Sequence, residues 1–258
     1  MHSGSLPIAA DTPPDSRSLP SGRESLVEIY HRYFETVPAD TPERLDEAYR
    51  LRYQVYCVEH PFENPLEHPD ERERDIYDAH SVHSLLIHRP TGSVAGTVRL
   101  ILPNDDIPLP IASICHHALL KERLALAPRN TAELSRFAVS KQFRRRATDT
   151  PIVDYGIVER AANPDPMDRR VMPHITLGLM KAVFDMSLER GITHLFAVME
   201  PALLRLINRI GIVFDPIGPL VDYHGGRQPC HSGLSELLGR LRPIQPEIWT
   251  LITGARDF

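Results

Sequence analysis

Glu133 and Arg136 are the residues of this sequence best suited to acid–base chemistry. They lie in the apolar segment 132–139, which predicts a buried strand. Burial raises the pKa of a glutamate towards neutrality, so Glu133 is a candidate general base; a structural Glu–Arg pair is the alternative. Residues three apart lie on opposite faces of a regular strand. For both to face one site the strand must bulge or splay, and bulges do redirect side chains near active sites.

Two arginines in apolar surroundings form a second candidate site with two aspartates. Arg52 lies on the apolar stripe of a predicted helix, and Arg99 lies within the apolar segment 94–102. A buried guanidinium is costly unless a carboxylate pairs with it. Asp75 and Asp78 lie just ahead of a predicted strand. The alternatives are an Arg52 side chain that extends to water and aspartates in a solvated turn. Together the four residues predict a shared ionic cluster, which is typical of active sites.

Arg144, Arg145 and Arg146 form a basic run directly after segment 132–139. Such a run can bind phosphate on a coenzyme or the acidic face of a carrier protein. A solvated loop is the alternative, and position alone favours it.

These candidates must be positioned by alternating helices and strands. Thr41 and Pro42 predict a helix start, because the hydroxyl caps free N–H groups and proline fits the first helical turn. Gly191 and Gly211 predict helix ends. The predicted helices are 25–34, 41–56, 175–190 and 201–210. The predicted strands are 33–37, 82–88, 94–102, 132–139, 193–199 and 212–214, with a hairpin turn at 90–92.

This order of elements predicts a mixed α/β sheet with helices packed against it. Residues 61–74 are charged and proline-rich, and we interpret them as a mobile loop. Residues 141–173 predict a long irregular stretch, and a stretch of that length is usually functional or mobile.

Composition and charge limit the class of protein. The 258 residues predict a disordered Pro- and Ser-rich tail at 1–24 and a single domain at 25–258. The net charge of −5 argues against a nucleic-acid-binding protein. Three widely spaced cysteines favour a reducing compartment. No stretch approaches the ~20 apolar residues of a membrane helix, so we expect a cytoplasmic protein without a membrane span.

Several common chemistries lack their motifs. The sequence has no G-x-S-x-G elbow, dinucleotide glycine fingerprint, P-loop or H-E-x-x-H motif. Its neighbouring Cys and His residues at 115–117 and 230–231 are adjacent, whereas zinc ligands are spaced apart, so no metal is expected.

Four motifs in series resemble those of the acyl-homoserine-lactone synthases. These synthases carry R-x3-F-x5-W, then E-x-D-x-x-D, then R-L, then E-x-S-R-F. The matching residues, in the same order and spacing, are Arg52-x3-Tyr56-x5-Phe62, Glu73-x-Asp75-x-x-Asp78, Arg99-Leu100 and Glu133-x-Ser135-Arg136-Phe137. Each motif alone has low specificity, but the series of four is specific.

The sequence resembles the exosortase (PEP-CTERM) system-associated acyltransferases more closely. The hallmarks of that family resemble segments 51–59, 81–85, 96–103 and 223–229 of this chain. The resemblance extends from about Tyr33 to Pro229 and leaves out the N-terminal tail. Long-chain N-acyl amino acid synthases share the same general plan.

The resemblance implies a GNAT-like (acyl-CoA N-acyltransferase) fold with a splayed central sheet flanked by helices. It implies transfer of an acyl group from a thioester to an amine such as an amino acid. The donor is long-chain acyl carrier protein (ACP), through its phosphopantetheine, or acyl-CoA, and no cofactor is permanently bound. ACP and a small-molecule amine are therefore the expected partners.

The resemblance also implies roles for individual residues. Glu133 accepts the amine proton, and backbone amides with Arg136 nearby stabilise the oxyanion. The implied sets are a catalytic group of Glu133, Ser135 and Arg136; an ionic cluster over the acceptor of Arg52, Asp75, Asp78 and Arg99; an acyl pocket of Tyr56, Phe62 and Phe137; and a donor-docking run of Arg144, Arg145 and Arg146.

The sequence departs from its relatives at two points. Tyr56 and Phe62 replace the Phe and Trp that shape the pocket of the synthases, which argues against a homoserine-lactone product. The glycine-rich pyrophosphate loop of ordinary CoA acetyltransferases is absent, since 141–146 contains no glycine, and this favours ACP over CoA. Two alternatives stay open: a conventional CoA-dependent N-acetyltransferase, and a non-catalytic module that binds an acyl carrier.

Overall fold

The computed structural model describes residues 25–144, 171–223 and 225–254, without the side chains of residues 144 and 171–173. Its strands are β1 Phe34–Pro38, β2 Ser81–His88, β3 Ser93–Ile101, β4 Thr131–Val139, β5 His194–Met199, β6 Asp215–Pro216, β7 Val221–Asp222 and β8 Gly226–Gly233. Its α-helices are α1 Leu26–Tyr33, α2 Pro42–Tyr53, α3 Ala118–Leu126, α4 Lys141–Arg144, α5 Val171–Glu189, α6 Pro201–Arg209, α7 Leu234–Ile244 and α8 Pro246–Thr253.

The strands form one mixed sheet in the order β1-β2-β3-β4-β5-β8-β6, with β7 paired to β8. Neighbours from β1 to β4 are antiparallel, β4 and β5 are parallel, and β8 is antiparallel to β5. The parallel pairing joins 131–134 to 194–197 and ends at Leu134 and Ala197. The mixed α/β sheet predicted from the sequence is confirmed, and it splays at its centre.

Helices cover both faces of this sheet. Successive side chains of a strand point to opposite faces, as Leu85 and Leu86 of β2 do. Leu85 packs with Ala48 of α2, whereas Leu86 belongs to the main core with the apolar residues of α5. α5 lies very close to β2 at Gly178: a Cβ added to this glycine would be only 2.6 Å from Leu86 Cδ1. α2 and α5 therefore lie on opposite faces.

Local signals in the sequence place several of these elements correctly. The Thr41 side chain accepts a hydrogen bond from the Arg44 N–H at 3.3 Å, and Pro42 begins α2. Gly191 and Gly211 follow α5 and α6 with φ angles of +66° and +87°, a conformation that glycine adopts without steric cost. The predicted helix over 41–56 is α2 followed by a π-helical segment, Gln54–Glu59.

The C-terminal part differs from the prediction. The strand predicted at 212–214 is wrong: Ile212 and Phe214 are buried, but the strand is β6, Asp215–Pro216, one residue further on. The neighbouring strand β8 was not predicted, since Gly226 and Pro229 interrupt the alternation that signals a strand. Ile212 and Phe214 are buried because they pack against the main core. A short apolar segment has the same sequence pattern whether it is a buried loop or a buried strand, so the pattern alone could not separate the two.

Two segments that the sequence predicts to be loops or irregular contain helical residues in the structure. Segment 61–74 contains the 3-10 turn Pro65–Glu67, and near its end Glu73 is buried within the structure. The stretch 141–173 begins with α4 and ends inside α5. Residues 145–170, and the predicted tail at 1–24, lie outside the described residues.

Candidate active site

A bulge in β4 brings Glu133 and Arg136 to one cleft. Ser135 lies opposite Arg99 of β3, whereas Ala138 lies opposite Thr97, so β4 has an extra residue between these pairs. Arg136 absorbs the irregularity with a φ of +47°, which a non-glycine residue rarely adopts. Both side chains then line the cleft between the splayed strands. The structure has the bulge and the splay that the spacing of the two residues required.

The cleft has a largely apolar wall and a polar rim. The apolar wall comes from β4, β5 and α6 and includes Phe137, Val139, Val198, Met199, Leu203 and Leu206. The rim includes Tyr56, Phe62, Glu63, Asp75, Tyr77, Arg99, Tyr223 and Arg227. The cleft is thus suited to a substrate that has both an apolar chain and a polar group.

Glu133 is a buried carboxyl group with no arginine hydrogen-bonded to it in the described residues. It is 3% exposed, and its Oε2 accepts a hydrogen bond from the Ile111 N–H at 2.8 Å. Burial raises the pKa of Glu133 to about 8, and the Ile111 hydrogen bond and the more distant Arg99 and Arg136 charges only partly oppose that shift. A carboxyl with a pKa near the working pH can both take up and release a proton.

Arg52 is fully buried and holds two carboxylates of the segment before β2. Its Nε donates to Glu73 Oε2 at 2.6 Å. Its Nη1 and Nη2 donate to the two oxygens of Asp78 at 2.7 Å and 3.0 Å. These contacts join α2 to the segment that leads into β2, with both guanidinium edges occupied.

Arg99 and Arg136 extend this arrangement into the sheet. Arg99 donates to both oxygens of Asp75, at 2.6 Å and 2.9 Å, and to Asp78 at 2.8 Å. Arg136 donates to Glu73 at 2.9 Å and to Asp75 at 3.2 Å. Arg136 also donates to Glu63 at 2.8 Å. The ionic cluster comprises Arg52, Glu63, Glu73, Asp75, Asp78, Arg99 and Arg136.

Charge pairing keeps two acids of the ionic cluster, Glu73 and Asp78, ionised. Burial alone would raise the pKa of Glu73, but Arg52 and Arg136 outweigh burial and hold that pKa at about 2. Burial likewise opposes ionisation of Asp78, and Arg52 and Arg99 lower its pKa well below the usual range. Counted formally, the three arginines and four acidic residues give the cluster a charge of −1.

His83 adjoins the ionic cluster and was not predicted from the sequence. Its Nε2 lies 3.4 Å from Asp78 Oδ1, and its ring packs edge-on against Tyr49. Burial first, and the Arg52 charge next, lower the pKa of His83 to about 4. The imidazole is therefore neutral at pH 7 and adds no charge to the cluster.

Two arginines of the cleft, Arg136 and Arg227, form cation–π contacts with aromatic rings at the rim. The Arg136 guanidinium carbon lies 5.2 Å from the centre of the Tyr56 ring, and that of Arg227 lies 5.1 Å from the centre of the Phe62 ring. The two rings are 6.5 Å apart. These cation–π contacts orient the guanidinium planes.

The remaining candidate residues are placed as follows. Ser135 Oγ accepts a hydrogen bond from Arg99 Nε at 2.9 Å, so Ser135 contacts the ionic cluster. Phe137 lines the cleft together with Tyr56 and Phe62. Arg144 ends α4, but its side chain, and all of Arg145 and Arg146, lie outside the described residues.

Sequence reasoning assigned no role to Glu63, Glu73, Tyr223 or Arg227, all of which line the cleft or join the ionic cluster. Glu73 belongs to the E-x-D-x-x-D motif, and its position there was the available signal. Glu63 lies in a charged segment where no pattern singles it out. Tyr223 and Arg227 reach the cleft only through the pairing of β8 with β5.

Two further properties concern the described ranges alone. Among residues 25–144, 171–223 and 225–254, no three His, Cys, Asp or Glu side chains are grouped so as to hold a metal ion. None of the helices in these ranges is both long and apolar enough to span a bilayer.

Comparison with known proteins adds a family match. Residues 51–153 match the acetyltransferase (GNAT) domain family. This segment includes the last turn of α2, the ionic cluster and β4. The comparison with curated proteins found no match.

Several solved structures share the fold. One is FeeM, an N-acyl amino acid synthase from uncultured soil microbes, with a TM-score of 0.52 and 17% identity over 82% of this chain and 96% of FeeM. BjaI, a CoA-dependent acyl-homoserine lactone synthase solved with MTA, has a TM-score of 0.51 and 22% identity over 81% of this chain and 89% of BjaI. TofI, solved with an inhibitor and MTA, has a TM-score of 0.53 and 21% identity over 81% of this chain and 96% of TofI.

Likeness at this level of identity establishes the fold, so the predicted GNAT-like architecture is confirmed. Together with the domain match at 51–153, it supports the expectation that the chain is an N-acyltransferase.

Proposed function

We propose that this protein transfers an acyl group from a thioester to the nitrogen of a small amine such as an amino acid, with Glu133 as the general base. The observation that carries the proposal is Glu133 itself. It is buried at the splay of β4 and β5, lines the cleft, and has a pKa of about 8. A surface glutamate would have too low a pKa to be an effective base for an amine.

In the proposed reaction, Glu133 accepts a proton from the amine while its nitrogen attacks the thioester carbon. A C–N bond forms, the C–S bond breaks, and the leaving thiolate takes up a proton. A water molecule can relay the proton between nitrogen and carboxylate. The products are an amide and a free thiol, and no oxidant or reductant is required.

Stabilisation of the oxyanion is assigned to the backbone of β4. Beyond Leu134, β4 has no register partner in β5. N–H groups along that edge can donate to the thioester oxygen as negative charge develops on it. Arg136 lies next to this edge, but its donors already contact Glu63, Glu73 and Asp75. We therefore assign Arg136 a positioning role, with electrostatic support to the oxyanion.

The ionic cluster is assigned the task of closing the acceptor side. Its members come from α2, from the segment before β2, and from β3 and β4. They fix the π-helical segment and Phe62 over the cleft. Removal of Arg52 would leave Glu73 and Asp78 buried with one arginine each, Arg136 and Arg99, and an incompletely compensated buried charge is strongly unfavourable.

Long-chain acyl-ACP is the proposed donor, and a PEP-CTERM/exosortase system is the proposed context. The apolar wall of the cleft supports a long acyl chain; Phe137 belongs to that wall, and the proposed acyl pocket is completed by the rings of Tyr56 and Phe62 at the rim. The preference for ACP over CoA rests on the sequence, which lacks a glycine-rich loop after β4. Arg144, Arg145 and Arg146 remain the proposed contact for the acidic carrier.

The test is intact-mass detection of acyl release from long-chain acyl-ACP and, in parallel, from acyl-CoA, with a pool of amines. Wild type should release the acyl group and yield an acylated amine, and Glu133→Gln should not. Glu122→Gln, an exposed glutamate on α3, is the control and should match wild type. A fully active Glu133→Gln enzyme would overturn the role of Glu133. Release from acyl-CoA alone would indicate the conventional CoA-dependent enzyme, and carrier binding without release would indicate the non-catalytic module.

A further inference from the structure

Arg227 differs from the other arginines of the cleft in having no close carboxylate. Arg99 and Arg136 donate to carboxylates at distances between 2.6 Å and 3.2 Å. Arg227 Nη1 lies 3.7 Å from Glu200 Oε2, which is beyond hydrogen-bond distance. Within the ranges that the structure describes, the Arg227 guanidinium donates no hydrogen bond. Its donors are therefore available to a ligand.

The surroundings of Arg227 hold its guanidinium in place. Arg227 pairs with Val221 at the start of β8, and its guanidinium carbon lies over the Phe62 ring, 5.1 Å from the ring centre. Its side chain is only 15% exposed, whereas that of Glu200 is 40% exposed. A stacked guanidinium keeps its N–H donors in the plane of the group, which matches the two oxygens of a carboxylate.

The charge of the neighbouring groups selects the kind of ligand. The ionic cluster carries a formal charge of −1, so it attracts a cationic amine. Arg227 adds a positive charge on the same rim of the cleft. An amine that also carries a carboxylate complements both regions, whereas a simple alkylamine complements only the first.

We infer that Arg227 is a specificity-determining residue that binds a carboxylate of the acceptor, which displaces the loose contact with Glu200. The inference rests on the proposed function, because it assigns one residue to one substrate of that reaction. It also predicts the chemical class of the acceptor: an amine with a free acidic group. A phosphate of the donor is the other anion that the same guanidinium could bind, and the experiment separates the two.

The test compares amino acids with their carboxamides, which keep the amine but lack the negative charge. Acceptor and donor KM values would be measured for wild type, Arg227→Gln and Arg227→Lys. Arg240→Gln is the matched control, since Arg240 lies on α7 with similarly loose contacts, 3.8 Å from Asp215 and from Glu236. Thermal unfolding of each variant would establish that it is folded.

We expect Arg227→Gln to raise the KM of the amino acid by roughly 10- to 100-fold, the usual effect of losing a charged hydrogen bond. The carboxamide should be a poor acceptor for wild type and should respond little to the substitution. Arg227→Lys should recover part of the loss, and Arg240→Gln should behave as wild type. Equal use of acid and carboxamide by wild type, or a rise in donor KM instead of acceptor KM, would overturn the inference.

Calorimetric binding of the same acid and carboxamide, without donor, separates this inference from the proposed function. Selective binding of the acid that disappears in Arg227→Gln would support the Arg227 site even if no donor were turned over. Turnover without discrimination between acid and carboxamide would contradict the Arg227 site and leave the acyltransferase standing. Absence of both binding selectivity and turnover would contradict both.

Discussion

Glu73 and Glu133 are buried to almost the same extent, with exposures of 1% and 3%, yet their acidities are opposite. Glu73 contacts two arginines and has a pKa of about 2. Glu133 accepts a backbone hydrogen bond and has a pKa of about 8. Burial acts on both in the same direction, so the partners decide the outcome. One carboxylate is a permanent charge that holds the structure together, and the other is poised to exchange a proton.

The largest effect on activity should come from replacing Glu133, the carboxyl that exchanges a proton in the proposed reaction. Glu133→Gln preserves the shape of the side chain and should lower kcat by about a hundred- to ten-thousandfold, the usual contribution of a general base. Single-turnover kinetics with saturating donor and acceptor would measure the change. Because Gln can remain buried without charge, the unfolding temperature should not fall. Loss of activity accompanied by loss of fold would mean that Glu133 serves the structure instead.

The next largest effect, on stability, should come from removing a permanent charge of the ionic cluster. Arg52→Met leaves Glu73 and Asp78 without their shared partner, and the free energy of unfolding should fall by about 3–5 kcal/mol. Urea denaturation would measure it. Arg50→Met on the same helix is the control, because the Arg50 side chain is 61% exposed and, among the described residues, forms an ion pair with Asp46 alone. If both variants lost the same stability, the ionic cluster would not be the cause.

The pH dependence of stability should distinguish Glu133 from Glu73. The raised pKa of Glu133 means that its protonated form stabilises the fold. That contribution is complete below the ordinary glutamate pKa of about 4.3 and is lost as pH rises through about 8. Wild type should therefore lose stability relative to Glu133→Gln between pH 5 and pH 9. Thermal unfolding across that range would show it, and a constant difference would contradict the raised pKa.

The last prediction concerns the pH–rate profile, where the pKa difference between Glu133 and Glu73 should be visible in the wild-type enzyme without any substitution. With an acceptor whose amine is already neutral, kcat/KM should rise about tenfold per pH unit on the acid side and level off near pH 8, as Glu133 loses its proton. The lowered pKa of Glu73, about 2, places its titration far outside this range. A profile that levels off near pH 4 to 5 would assign the base to a carboxyl of ordinary acidity.

The sequence predicted the residues whose chemistry conflicts with their surroundings. Arg52, Arg99 and Glu133 are charged residues in apolar patterns, and such conflicts are visible without a structure. The need for a bulge followed from the spacing of Glu133 and Arg136. The pairing of particular arginines with particular acids could not be predicted, because it depends on contacts between residues 21 to 73 positions apart.

The resemblance singled out segment 223–229, but the strand there and the place of Arg227 in the site were not predicted, for a different reason. Arg227 is the second residue of a strand that also contains Gly226 and Pro229, so local propensity gives no strand signal there. The strand exists because it pairs with β5 in the sheet. Arg227 therefore reaches the cleft through tertiary structure alone, and its neighbours Phe62 and Glu200 lie far from it in the sequence.

The ionic cluster also has a consequence for how the chain folds. It joins groups from α2, the segment before β2, β3 and β4, and Arg136 and Glu63 are 73 positions apart. A nascent chain that stopped short of β4 would leave Glu63 and Glu73 without Arg136, and long-range contacts of this kind form slowly. Unpaired charges resist burial, so the acceptor side of the cleft is expected to become ordered only after β4 has paired with β3 and brought Arg136 to its acids.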